Sequence, residues 1–164
     1  MTKLIAVLAL FAVVLSVAAG TATGRTREDA NIVQTAVAVG QFKTLTKLLT
    51  RAGLVGALQE AGPYTVFAPT DAAFKKMPKK TLNALLRNKA KLKSVLLYHV
   101  VSGKVTAADV AKLATVKTLN GKSVRIRMSG MNVFVNSAKV TKADVTASNG
   151  VIHVINRVLI PPAR

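Results

Sequence analysis

Cysteine and tryptophan are absent from the 164 residues, and only six carboxylates stand against 24 lysines and arginines. Without cysteine, no disulfide braces the fold and no lipid-modified N-terminal cysteine can tether it. Catalysis has little to work with. Nucleophilic chemistry needs a base beside a Ser, Thr or Cys, and the two histidines, His99 and His153, both lie inside apolar runs. They read as hydrogen-bonded structural side chains. The carboxylates form no close pair suited to acid–base work, and no His/Cys/Asp cluster has metal-ligand spacing. Gly53 and Gly56 are too sparse for a phosphate loop, and Ser129-Gly130 fits a hairpin. A non-enzyme without cofactor or metal is expected. The few Phe and Tyr lie in apolar segments, so base stacking has no platform and any nucleic-acid binding would be nonspecific backbone attraction.

What the chain does have is positive charge, formally +18. Loss of Lys3 with a leader leaves 23 basic against 6 acidic residues, or +17. So basic a domain attracts polyanions such as acidic polysaccharide, nucleic acid or anionic lipid. Lys75, Lys76, Lys79, Lys80, Arg87, Lys89, Lys91 and Lys93 follow one another without an acidic residue. On adjoining short helices they can form a polyanion-binding surface; the other reading is a merely solvated, self-repelling face. Arg125 and Arg127 alternate with Val124, Ile126 and Met128, which puts them on the wet side of a strand. Lys139, Lys142 and Arg157 extend that positivity.

The N-terminus has the layout of a secretory signal: Lys3, an apolar run from Leu4 to Val17, then Ala18-Ala19-Gly20. Residues 1–22 are assigned to it, with cleavage after Gly20 or Ala22. The alternative is an uncleaved anchor, although the run is shorter than the ~20 residues of a spanning helix. Residues 23–28 read as a flexible arm and 29–162 as one domain, long enough to enclose a core. No Asn-x-Ser/Thr sequon occurs, and the closing Pro-Pro-Ala-Arg has no hydrophobic tail of the kind a lipid-anchor signal needs. A secreted location is expected, meaning periplasm or cell surface if the source is bacterial, with no transmembrane segment in the mature chain.

Ile32, Val33, Ala36 and Val37, then Phe42, Leu45, Leu48, Leu49 and Ala52, fall at helical spacing with a break at Gly40. Gly53 caps the second helix, and a short third runs from Leu54 to Glu60. Helices are expected near Asp71–Lys76, over Lys79–Arg87 and Lys89–Leu97, and from a Thr106 cap to Leu113. Strands are expected at Thr115–Thr118, Ser123–Met128, Asn132–Val135 and Val151–Asn156, with a final one around Arg157–Ile160. Asn120-Gly121 and Ser129-Gly130 signal tight turns. Helices first and strands later make an α+β plan.

Three segments carry most of the information. In TVFAPTDAAF, Thr65 to Phe74, a strand meets Pro69, which ends the ladder. Thr70 then caps a helix whose Asp71 suits the positive end and whose Phe74 points inward. LLYHVVSGKV, Leu96 to Val105, contains Tyr98-His99. In SNGVIHVINRVLIPP, Ser148 to Pro162, the turn at Asn149-Gly150 leads into a strand with Val151, His153 and Ile155 on one face and Ile152, Val154 and Asn156 on the other.

In this order and spacing, these segments resemble the two hallmark boxes and the Tyr-His motif of the fasciclin domain family, over about Thr26 to Pro162. One departure is Asn156, where many members carry Asp. The resemblance implies a wedge of two sheets near right angles, flanked by helices. It also implies a secreted adhesion or extracellular-matrix interaction domain; taken with the positive charge, the expected partner is a cell-surface protein or acidic polysaccharide. In animal adhesion proteins of the family, an Asp-Ile segment before the second box is implicated in integrin-mediated attachment. Asp144-Val145 occupies that place here, with Lys142 and Ala143 departing from the animal pattern; alternatively, Asp144 caps a turn and Val145 packs beneath the box. A rival function is a small-ligand or signalling module with an apolar cleft near Tyr98 and His99.

Overall fold

The computed structural model describes residues 30–162. The expected leader and arm lie outside the described residues. The helical layer begins with α1 (Ile32–Val39), α2 (Lys43–Ala52) and α3 (Val55–Gln59). Asn31 opens α1 with a capping box to Gln34, which satisfies otherwise orphaned N–H groups. Gly40 and Gly53 end α1 and α2 at φ 76° and 71°, the left-handed geometry that glycine adopts without a Cβ penalty. The apolar spacing of α1 overstates its buried face, since Val37 is 59% exposed.

The rest of the chain runs β1 (Tyr64–Pro69), α4 (Asp71–Lys75), α5 (Lys79–Arg87), α6 (Lys89–Leu97), β2 (Val100–Ser102), α7 (Ala107–Lys112), β3 (Thr115–Lys117), β4 (Ser123–Ser129), β5 (Asn132–Val135), β6 (Ala138–Ala147) and β7 (Gly150–Ile155). The strands pair in one seven-stranded order, β2-β1-β7-β6-β5-β4-β3. Only β1 and β7 pair in parallel. They sit in the interior of the order and are buried on both faces, which explains their almost unbroken apolar sequences.

Alternation along these two strands divides the core. Val66, Ala68, Ile152 and Val154 point to the helix side, against Ile32, Leu45, Leu49, Leu92 and Leu96. Phe67 and Ile155 point to the other side, with Tyr98, Val110, Val124, Ile126, Val135 and Leu159.

Pro69 ends the β1 ladder as expected, as its last residue opposite Ile155, where its missing N–H is least needed. Two expectations need correction. Ten residues from Ala138 to Ala147 form a strand that the apolar pattern did not signal, with register shifts between Val140 and Lys142 and between Lys142 and Val145. Such bulges shift the inward–outward phase, so no steady alternation survives in the sequence. Conversely, Arg157–Ile160 is no strand. The Leu159 N–H goes to a histidine ring instead of a neighbouring strand.

Candidate functional site

Phe67 and His153 stand opposite each other in the β1–β7 ladder, their rings stacked at 5.6 Å between centroids and 30° between planes. The Phe67 N–H donates to the His99 carbonyl at 2.8 Å. The three motif segments therefore meet at this point.

The two histidines hold opposite tautomers. The Leu159 N–H donates to His99 Nε2 at 2.9 Å, so Nδ1 carries the proton and donates to the Val95 carbonyl at 2.7 Å. In His153, Nδ1 accepts the Asp144 N–H at 3.2 Å, and Nε2–H donates to the Val105 carbonyl at 2.8 Å. Both nitrogens of each ring are engaged by backbone, which leaves neither free to serve as a base. Burial pulls the His99 pKa down to about 4 against a weaker upward pull from the Val95 bond. Tyr98 is likewise occupied: its hydroxyl donates to the Ser123 carbonyl at 3.2 Å and accepts the Asn136 Nδ2–H at 3.0 Å.

The apolar void beside His99, walled by Ile32, Leu49, Leu96 and Ile152, is only about 20 Å³, room for roughly one water. That is too small for the cleft expected beside His99; a larger hollow of about 570 Å³ borders Tyr98, but Arg125, Arg127 and Asn136 also line it, so it is not the apolar cleft expected.

The remaining motif residues join distant elements. Thr70 Oγ1 accepts the Ala73 N–H at 3.3 Å, opening α4, and Phe74 is buried. Asp71 turns elsewhere. Its Oδ1 accepts the Thr44 N–H at 2.7 Å, supplying the cap that α2 lacks, since Phe42 at its start offers no side-chain acceptor. Burial raises the Asp71 pKa, but the Thr44 and Lys43 contacts together outweigh it and leave the carboxyl below its ordinary value.

Asn149 Oδ1 accepts the Ile32 N–H, while Nδ2 donates to the Leu58 and Glu60 carbonyls at 2.7 and 3.0 Å. At Gly150 a Cβ would lie 1.9 Å from the Tyr64 carbonyl oxygen, so no side chain fits. Asn156 Oδ1 takes the Lys139 N–H at 2.9 Å, an acceptor role that needs no charge.

Asp144 lies at the β6 irregularity with φ 55°, a left-handed position that Asp tolerates better than most residues. Its Oδ1 accepts the N–H of Ala107, the first residue of α7, at 2.9 Å. The carboxylate thus caps a helix instead of the turn expected of it. Val145 is half-buried against the helix-side core.

Lys75, Lys76, Lys79, Lys80, Arg87, Lys89, Lys91 and Lys93 are all exposed. They ride on α4, its C-cap at Lys76, α5 and α6. Lys89 and Lys93 are one turn apart on the same face of α6, where like charges repel; Lys91 lies off that face. Two residues were not singled out from sequence. Asn136 closes the β5–β6 turn at φ 54° and its Oδ1 accepts the Arg125 N–H at 2.8 Å. Arg51 donates to the Leu86 carbonyl at 3.0 Å, near the end of α5. Asn before Ser between two short apolar runs is a turn signal; nothing local marks Arg51.

The model of the fasciclin domain matches residues 40–161. The Synechocystis protein sll1735 is 45% identical over 131 residues, which is 79% of this chain and 97% of that protein. Transforming growth factor-beta-induced protein ig-h3 from Sus scrofa is 39% identical over 123 residues, covering 75% of this chain but 18% of its own length. Among solved structures, a FAS1 domain pair from the insect cell adhesion molecule fasciclin I aligns with a TM-score of 0.60 at 21% identity. That alignment covers 74% of this chain and 46% of the solved one, and the likeness is one of fold. The motif segments meeting at Phe67, His99 and His153 and the match over residues 40–161 agree: the chain belongs to the fasciclin domain family.

Proposed function

We propose that this protein is a secreted, non-enzymatic adhesion or matrix-interaction domain that binds a cell-surface or polyanionic partner through its basic surface. The carrying observation is the exposure of all eight cations from Lys75 to Lys93 on three successive helices. No carboxylate intervenes between Asp71 and Asp109. Contacts of this kind displace counterions, so binding weakens steeply as salt rises. One feature supports the non-enzymatic reading: both histidine rings are fully engaged by backbone. The adhesive role is carried over from the fasciclin domain family to which the chain belongs, and export from the leader-like N-terminus. No helix among the described residues is long and apolar enough to cross a membrane.

The test is elution from immobilised heparin in a salt gradient, compared with a control protein of equal net charge whose lysines are scattered. Later elution supports the reading; coincident elution overturns it.

A further inference from the structure

A second basic surface lies around β4, the end of α4 and the segment after β7, and its chemistry differs from that of the helical lysines. One hollow of about 570 Å³ is lined by Tyr98, Thr115, Arg125, Arg127, Asn136 and Ile160 among others. A neighbouring hollow of about 370 Å³ is lined by Lys76, Pro78, Ser137, Arg157 and Ile160. Both volumes are in the range of ligand sites. The hollows share Ile160, which is 52% exposed. Neither is lined by a carboxylate, and the sequence has none between Asp109 and Asp144 or after Asp144.

The walls are held firmly. Val124 and Ile126 are buried on the far face of β4, so Arg125 and Arg127 project together, about 7 Å apart along the strand. The Arg125 backbone is fixed twice by Asn136, whose Oδ1 accepts its N–H at 2.8 Å and whose N–H donates to its carbonyl at 2.7 Å. The Ile160 segment is pinned by Leu159 to His99 on one side and by Lys122 Nζ to the Pro162 carbonyl on the other.

Between residues 30 and 162 there are five arginines, and three of them, Arg125, Arg127 and Arg157, line these hollows; the stretch from Lys75 to Lys93 holds seven lysines and one arginine. A guanidinium presents a rigid fork that matches sulfate or carboxylate in two-point contact, whereas an ammonium is a compact, strongly hydrated point charge. The helical lysines thus suit long-range attraction, and the arginine-lined hollows suit seating.

We propose that the two hollows form one track that seats a linear acidic polysaccharide, with Arg125, Arg127 and Arg157 forking onto successive sulfate or carboxylate groups. Thr115 and Ser137 supply hydroxyl groups for sugar hydroxyls, and Ile160 supplies an apolar floor. Nucleic acid fits less well. No Trp or Phe lines the hollows, and the Tyr98 ring is buried with its hydroxyl engaged, so bases have nothing to stack on. The inference shares with the reading above the premise of a polyanionic partner, and adds where and by which groups it is gripped.

The experiment compares two triple variants that remove equal charge: Arg125→Gln, Arg127→Gln, Arg157→Gln, and Lys79→Gln, Lys80→Gln, Lys89→Gln. All six side chains are exposed, and an unchanged thermal midpoint verifies folding. Dissociation constants are measured at fixed salt for heparin, for unsulfated polygalacturonate and for single-stranded homopolymer DNA. The arginine triple is expected to weaken glycan binding about tenfold or more, and the lysine triple several times less. Preference for heparin assigns sulfate to the forks, and equal affinity for polygalacturonate assigns carboxylate; either supports the track. Equal losses in the two triples overturn it while leaving the polyanion-binding function standing. DNA bound more tightly than either glycan through the same arginines overturns the polysaccharide assignment. No binding to any probe by the parent protein overturns both readings.

Discussion

The side chain of Asn149 accepts the backbone N–H of Ile32 at 2.9 Å, across 117 positions of sequence. The same amide gives its two protons to the Leu58 and Glu60 carbonyls. One turn residue thereby ties the start of α1 and the end of α3 to the entry of β7.

Asn149→Ala removes all three bonds and leaves a helix-start N–H and two carbonyls to find new partners. Each lost bond is worth roughly 1 kcal/mol, so a loss of about 3 kcal/mol is expected. Urea unfolding measures it; a loss under about 1 kcal/mol would show that water replaces the amide freely.

Gly150→Ala meets backbone instead of an adaptable side chain. The new methyl would lie 1.9 Å from the Tyr64 oxygen and 2.8 Å from Ile32 Cδ1, so β1 and β7 must part where they are in register. The expected loss is about 3 kcal/mol or more. A variant with an unchanged denaturation midpoint would contradict the closeness of this approach.

The pH dependence follows from His99. Its folded-state pKa is lowered from 6.5 to about 4, so between these values the unfolded chain binds a proton that the folded chain refuses. The stabilisation is complete above pH 6.5, is lost as pH falls through this window, and amounts to about 3 kcal/mol. Asp71, also lowered, acts in the same direction but only in more acid solution, below its ordinary value of 3.8. Urea midpoints from pH 7 to 4 should fall steadily, with the His99 ring staying neutral by NMR until near pH 4. A flat profile above pH 4.5 would remove His99 from the account.

Asp144→Ala deletes the acceptor for the Ala107 N–H while keeping a Cβ at positive φ. A loss of about 1 kcal/mol is expected from the cap alone, with faster amide exchange in α7. Asp144→Asn keeps both the oxygen and the tolerance for this backbone, and should stay within about 0.5 kcal/mol of the parent. If Asn and Ala are equally damaging, the carboxylate charge matters and not its geometry.

Much of the fold is legible in the residues because local signals agree with it. Gly40 and Gly53 mark the ends of α1 and α2. Val124 and Ile126 alternate with Arg125 and Arg127 along β4, and the turns at Asn120-Gly121 and Ser129-Gly130 fall where strands reverse. What stays hidden has physical causes. Two register shifts scramble the alternation of β6. Val158, Leu159 and Ile160 look like a strand, yet the Leu159 N–H is claimed by a ring 60 positions away. Asp71 suits the start of its own helix, but its oxygen serves α2. The positive residues are visible one by one in sequence. That Lys76, Arg125, Arg127 and Arg157 border adjoining hollows depends on the meeting of β4, the α4 end and the segment after β7.

Parallel pairing of β1 with β7 joins the thirty-fifth and the hundred-and-twenty-first positions of the described chain, counting from Tyr64 and Gly150. Long loops must close before such contacts give any return, which slows assembly. A ribosome has to release the chain through Ile155 before the centre of the sheet can zip shut.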